Sequence, residues 1–155
     1  GIPIKTICCI GAGYVGGPTM TMMASKCPNL IFNVVDINET RIASWNNEDL
    51  SKLPIFEPGL EELIIKTRNK NLFFSSNLKE SIESADIIFI SPVFRTLSFP
   101  EKKPLSNHNF ISLCFSFEKK VIFALGGINK KKFANIRNTN LYGFGSISSF
   151  KEKDE

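Results

Sequence analysis

The 155-residue sequence has few of the side chains that build metal centres and disulfide frameworks. Its single histidine, His108, lies in a segment rich in proline and asparagine, with no cysteine or acid at ligand spacing. The four cysteines are Cys8, Cys9, Cys27 and Cys114. Two of them are adjacent and none forms a C-x-x-C pair, which argues against a zinc site or a disulfide framework. We therefore expect no bound metal, reduced thiols and a cytoplasmic location.

Long hydrophobic runs are also missing. No uninterrupted segment reaches the ~18 apolar residues that a membrane span requires. The most apolar stretch, residues 7–24, is broken by Gly11, Gly13, Gly16, Gly17 and Pro18. These breaks exclude the continuous helix of a signal peptide. With 43% apolar and 22% charged residues, the composition is typical of a globular protein without a membrane partner.

Basic residues are concentrated in the second half of the chain. Residues 1–91 carry 8 Lys/Arg and 10 Asp/Glu, whereas residues 92–155 carry 11 and 5. The lysine runs at 119–120 and 130–132 are typical of solvated faces, and neither aromatic residues nor an RNA motif accompany them. We therefore expect no nucleic-acid partner.

Short apolar segments alternate with helical segments along the whole chain. Strands are predicted over residues 5–10, 31–36, 72–75, 86–91, 121–125 and 142–147. Helices are predicted over residues 17–26, 39–45, 57–68, 78–84, 107–117 and 129–138. This alternation predicts an α/β fold, a doubly wound and mostly parallel Rossmann-like sheet of about six strands, in one domain over residues 1–155. The expected strand order is 3-2-1-4-5-6.

A glycine-rich motif links the first predicted strand to the first helix. The sequence Gly11, Ala12, Gly13, Tyr14, Val15, Gly16 has the pattern G-x-G-x-x-G. Gly11 would allow a tight turn, Gly13 would let a pyrophosphate approach the backbone, and Gly16 would let helix and strand pack closely. The following helix offers N–H groups and a partial positive charge to the phosphates. The alternative is a strand-to-helix turn that binds nothing.

An acidic residue completes the fingerprint. Asp36 ends the second predicted strand, 20 residues after Gly16. Its carboxylate would accept hydrogen bonds from the adenosine ribose and repel a 2′-phosphate, so the sequence predicts NAD rather than NADP. Arg41 is one helical turn further on and is placed to reach the adenine or a phosphate.

The first 91 residues resemble the N-terminal region of the UDP-glucose 6-dehydrogenase family. The resemblance is carried by residues 7–19, 34–42, 45–46, 53–60, 71–76 and 85–91. It implies NAD contacts from Gly11 to Gly16, from Asp36 and from Arg41, and oxidation of UDP-glucose to UDP-glucuronate by the complete enzymes. None of the four cysteines matches the family's catalytic cysteine, so we expect no catalytic residue here. A truncated family member remains an alternative.

The rest of the chain resembles another family. Residues 90–98, 124–128 and 143–149 are similar to the last three strands of thiamine phosphate synthases. The resemblance implies phosphate contacts from Gly127, Ile147 and Ser148, and it predicts a chimera whose parents meet at residues 87–91. The alternative functions are therefore a phosphate- or thiazole-phosphate-binding remnant and an inactive scaffold. An open sheet edge also favours self-association into a homo-oligomer.

Overall fold

The computed structural model describes residues 3–91, 121–125 and 141–145. Within these ranges, helices and strands alternate in chain order. The strands are β1 (Thr6–Ile10), β2 (Ile31–Val35), β3 (Leu72–Ser75), β4 (Ile87–Ile90), β5 (Val121–Leu125) and β6 (Leu141–Gly145). The helices are α1 (Gly16–Lys26), α2 (Glu39–Trp45), α3 (Leu60–Thr67) and α4 (Leu78–Ser84), with a 3-10 turn at Leu50–Lys52.

The strands form one parallel sheet in the order β3-β2-β1-β4-β5-β6. This confirms the predicted doubly wound topology and the predicted strand order. β1 lies at the centre and pairs with β2 on one side and β4 on the other. The chain reverses its winding direction at this point, so the carboxyl ends of β1 and β4 border the crevice in which doubly wound sheets bind ligands.

The start of α3 differs from the prediction. The helix was expected over residues 57–68 with Pro58 in its first turn, but it begins at Leu60. Gly59 precedes it with a left-handed backbone, at a φ of 84°. This conformation cannot continue a right-handed helix, so the residues before it stay outside α3.

Two further points concern elements predicted in the second half of the chain. β6 begins and ends slightly earlier than residues 142–147, as strand ends commonly do. The predicted helices over 107–117 and 129–138 lie outside the described residues.

The core lies on both sides of the first four strands. Its largest fully buried side chains include Trp45, Phe32, Met20, Ile64 and Leu72, which come from α2, β2, α1, α3 and β3. The central strand β1 contributes Ile7, Cys8 and Cys9 to the core.

The cysteines of β1 are part of this core. Cys8 and Cys9 are fully buried, as expected for small core residues. Burial raises the pKa of the Cys8 thiol to about 12, and burial together with the charge on Asp36 and the neighbouring Cys8 also raises the pKa of Cys9. Both side chains are therefore neutral thiols, which are poor nucleophiles.

Long-range hydrogen bonds fix the ends of the strands. The Asp86 carboxylate accepts hydrogen bonds from the backbone N–H groups of Lys5 and Thr6, at 2.8 and 2.9 Å, and so ties the start of β4 to the start of β1. The Asn71 side-chain amide donates to three carbonyls of the α1–β2 connection, those of Ala24, Cys27 and Leu30. Among the described residues, no helix is both long and apolar enough to cross a membrane.

Candidate functional site: the loop after β1

The loop at residues 11–16 joins the carboxyl end of β1 to α1, at the point where the sheet reverses its winding. Its first glycine is required by geometry. Gly11 has a φ of 109°, and a Cβ atom there would overlap the backbone carbonyl of Ser91. The Gly11 N–H donates to the Val35 carbonyl at 2.8 Å. No residue larger than glycine fits between the ends of β1 and β4 without moving one of them.

The last glycine of the motif is equally constrained. A Cβ atom on Gly16 would overlap the Gly11 carbonyl oxygen and lie 3.0 Å from the Cys9 sulfur. Gly17 is also crowded, because a Cβ atom there would overlap the indole ring of Trp45. Small residues at these positions let α1 start directly against the sheet.

Gly13 is the exception among the three motif glycines. A Cβ atom there would have no neighbour within 4 Å, and the residue does not have a positive φ. The fold therefore does not require glycine at this position. The open space beside the Gly13 backbone is where an incoming ligand could approach the loop.

The N-terminus of α1 has no side-chain cap. Val15 is the N-cap and makes no side-chain capping hydrogen bond, and the first turn has no acidic residue. The positive end of an 11-residue helix therefore meets the loop with no acidic residue in its own first turn. Such a terminus attracts a negatively charged group.

The Asp36 carboxylate is held rigidly beside the loop. Asp36 is 8% exposed. Its Oδ2 atom accepts a hydrogen bond from the Ala12 N–H at 2.9 Å, and its Oδ1 atom accepts one from the Asn38 N–H at 2.9 Å. Arg41 Nη1 forms an ion pair with Oδ2 at 3.2 Å. The structure thus brings the three predicted elements together: the loop, the acid and the arginine.

Arg41 has a protein partner that the sequence did not indicate. Its guanidinium pairs with Asp36, and its side chain remains 37% exposed. The predicted contact of Arg41 with the adenine or a phosphate stays a prediction.

Trp45 is a site residue that the sequence reasoning missed. Its Nε1–H donates to the Ala12 carbonyl at 2.7 Å, and the side chain is fully buried. The ring stacks on Phe74 with centroids 4.8 Å apart. A lone tryptophan in a short helix gives no sign of contact with a loop 33 residues earlier, so only the tertiary structure shows this bond.

The remaining predicted site residues belong to the second half of the chain. Gly127, Ile147 and Ser148, the phosphate-binding alternative, lie outside the described residues. Within the described ranges, no group of three or more His, Cys, Asp or Glu side chains could hold a metal ion.

The sequence and the fold were compared with those of known proteins. Residues 5–94 match the UDP-glucose/GDP-mannose dehydrogenase family, NAD binding domain. UDP-glucose 6-dehydrogenase of Bos taurus is 57% identical over 88 residues, which are 57% of this chain and 17% of the bovine protein. The enzyme of Drosophila melanogaster is 56% identical over 85 residues, with 55% and 17% covered. The chain therefore spans less than one fifth of the length of these relatives.

Among solved structures, GDP-mannose dehydrogenase of Pseudomonas aeruginosa, crystallised as a ternary complex, has a similar fold. The TM-score is 0.60 at 20% sequence identity, and the match covers 90% of this chain and 34% of the other. At this identity the likeness concerns the fold. The match extends beyond the residues that align by sequence with the animal enzymes, in keeping with a sheet that continues to β6.

Proposed function

The chain belongs to the UDP-glucose/GDP-mannose dehydrogenase family and carries its NAD-binding domain, and from this we propose that residues 11–16, Asp36 and Arg41 form the NAD site. The observation that supports this most strongly is the buried Asp36 carboxylate, which is hydrogen-bonded to the backbone of the glycine loop. The acid and the loop thereby form one rigid unit at the carboxyl edge of the sheet.

The pyrophosphate is assigned to the loop and to the start of α1. Gly13 leaves open space beside the backbone, and the uncapped helix terminus supplies positive potential. The other two glycines of the motif, Gly11 and Gly16, lie in close contact with neighbouring backbone atoms. In this assignment Gly11 and Gly16 allow the backbone to pack closely, and Gly13 allows the pyrophosphate to approach.

The adenosine ribose is assigned to Asp36. Each carboxylate oxygen can accept about two hydrogen bonds. Oδ2 already has two partners, Ala12 and Arg41, while Oδ1 has Asn38 alone among the bonds described above. Oδ1 therefore retains capacity for a ribose hydroxyl. A 2′-phosphate at the same position would meet a buried negative charge, which favours NAD over NADP.

The substrate chemistry is inferred from the relatives. Curated relatives are UDP-glucose 6-dehydrogenases, and we propose that this domain accepts the hydride from UDP-glucose on its NAD when it is joined to the catalytic part of such an enzyme. The cysteines of β1 are not suited to that catalytic part, because Cys8 and Cys9 are buried neutral thiols.

The test is a calorimetric titration with NAD of the intact chain and of the variant Asp36→Asn. Asparagine keeps an acceptor oxygen for the loop but removes the charge, so we expect NAD affinity to fall about tenfold or more. NADP should bind relatively better to the variant, because Arg41 is released from its ion pair. Asp49→Asn is the matched control, since the Asp49 carboxylate accepts its hydrogen bonds from the neighbouring Ser51 and not from the glycine loop.

Two results would contradict the proposal. An unchanged NAD affinity in Asp36→Asn would contradict the assignment of the ribose to Asp36. It would not contradict the assignment of the pyrophosphate to the glycine loop. No binding heat from an intact chain with a folded circular-dichroism spectrum would remove NAD binding altogether and leave the scaffold interpretation.

The thiamine phosphate synthase resemblance remains a separate prediction. A phosphate site at Gly127, Ile147 and Ser148, the joining of two parents at residues 87–91, self-association and a cytoplasmic location all rest on the sequence patterns described above. Displacement of bound NAD by a small phosphate ester would show whether one site or two are present.

A further inference from the structure

We propose that Trp45 is a positioning residue for the cofactor: its indole N–H fixes the Ala12–Gly13 peptide so that the Gly13 N–H faces the pyrophosphate. This inference rests on the NAD site proposed above and adds a residue to it. It starts from the 2.7 Å hydrogen bond between Trp45 Nε1 and the Ala12 carbonyl.

The argument depends on the geometry of a trans peptide. The C=O of one residue and the N–H of the next lie in one plane and point in opposite directions. The Ala12 carbonyl is held toward the buried indole, so the Gly13 N–H of the same peptide must point the other way. The loop borders open space at this residue, because a Cβ built on Gly13 would have no neighbour within 4 Å.

Ala12 is held on both sides. Its N–H donates to Asp36 Oδ2 and its carbonyl accepts from Trp45, and the residue is fully buried. The two bonds fix the two peptide planes that flank Ala12: Asp36 holds the Gly11–Ala12 peptide through its N–H, and Trp45 holds the Ala12–Gly13 peptide through its carbonyl. Loss of the indole N–H would free the Ala12–Gly13 plane without changing the Asp36 contact.

The indole itself cannot move. One face stacks on Phe74 with rings 5° from parallel, and the six-membered part of the ring lies against the Gly17 backbone. The Trp45 carbonyl accepts a hydrogen bond from Arg68 Nη1 at 2.8 Å, which fixes the end of α2 on α3. Indole nitrogen is only a donor, so its contact with a carbonyl oxygen is unambiguous.

The alternative is that Trp45 only fills the core. The two roles can be separated because Trp45 is the single tryptophan of the chain. Biosynthetic replacement of tryptophan by β-(3-benzothienyl)alanine therefore changes this residue alone. The analogue keeps the bicyclic shape and places sulfur where the indole has its N–H.

The experiment compares ligand affinities of the intact chain, the analogue-containing chain and Trp45→Phe. We expect affinities for NAD and for ADP to fall by the same factor, about five- to tenfold, in both altered chains. The affinity for adenosine, which has no phosphate, should not change. Ile64→Val is the control: it loosens the same buried core but leaves the indole, its stacking on Phe74 and its N–H unchanged, and it should bind NAD normally.

The outcomes separate the two proposals. Equal NAD affinities of the intact and analogue-containing chains would overturn the role of Trp45, as would an equal loss for ADP and adenosine, because a general loosening affects both. A loss in Ile64→Val as large as in the analogue would also overturn it. Failure of the intact chain to bind NAD would instead overturn the proposed function, and this inference with it.

Discussion

Two connections of the fold are held in opposite ways. The glycine loop, residues 11–16, is fixed by groups distant in the sequence: Asp36, Trp45 and Ser91. The α2–α3 connection, residues 46–59, has mostly local bonds, such as those from Ser51 to Asp49 two residues away. Phe56 in this connection is 91% exposed.

The difference shows what makes a loop suitable for binding. A segment that is fixed from several directions by a rigid sheet keeps its N–H groups in place before a ligand arrives, which lowers the cost of binding. A segment that is held by its own neighbours can adapt to substitution with little effect on the rest of the fold. Substitutions at equivalent residue types in the two connections should therefore have unequal effects.

The largest effect is expected from Gly11→Ala compared with Gly59→Ala. Both glycines have positive φ, at 109° and 84°. A methyl at Gly11 would also overlap the Ser91 carbonyl, so we expect a loss of about 3 kcal/mol or more in the free energy of unfolding. At Gly59 the space is open, and only the left-handed backbone costs energy, about 1 kcal/mol. Urea unfolding of the two variants measures both losses of stability.

Similar losses at the two positions would contradict this prediction. They would mean that the ends of β1 and β4 can separate, and the glycine loop would then be no more rigid than the α2–α3 connection.

A second, smaller effect should separate stability from binding within the glycine loop. Gly13→Ala adds a methyl group to open space at a residue without positive φ, so we expect the free energy of unfolding to change by less than about 0.5 kcal/mol. The methyl would stand where the pyrophosphate approaches, so NAD affinity should fall about tenfold or more. Thermal unfolding and calorimetric titration of the same sample give the two quantities.

A destabilised Gly13→Ala chain would show that the fold itself needs this glycine. Normal NAD affinity in a stable variant would place the pyrophosphate elsewhere.

The smallest effect concerns Asp49 in the α2–α3 connection. Hydrogen bonds from the Ser51 side chain and backbone lower the pKa of the exposed Asp49 carboxyl below its usual 3.8. A depressed pKa means that this contribution to stability is present above pH 3.8 and is lost as the pH falls through the folded-state value. In Ser51→Ala, the NMR titration midpoint of Asp49 should move up toward 3.8, and NAD affinity should be unchanged.

A change in NAD affinity in Ser51→Ala would show that a substitution in the α2–α3 connection alters binding at the glycine loop. An unmoved midpoint would show that the backbone hydrogen bond alone lowers the pKa.

The sheet and its strand order could be predicted because each strand is indicated by a short, continuous segment of the sequence. Each buried strand has a continuous apolar run, and the handedness of the crossovers limits the ways in which such strands can be arranged. The start of α3 could not be predicted from helical periodicity, because the left-handed backbone of Gly59 interrupts a segment whose composition favours a helix.

The candidate site was predictable only in its residue types. Glycine spacing and the acid after β2 indicate a dinucleotide loop, and the family match agrees with that interpretation. The partners of Asp36 and the contact of Trp45 with Ala12 depend on how α2 packs on the loop. Sequence spacing contains no signal for a bond between residues 33 positions apart.

The central position of β1 also has a consequence for synthesis on the ribosome. β1 is synthesised before β4, which covers one of its edges, and the contact of Asp86, just before β4, with Lys5 spans 81 residues of sequence. Until β4 has left the ribosome, the nascent chain has an apolar strand with one unpaired edge. Such edges bind other chains, so we expect the nascent chain at this stage to need protection by a chaperone.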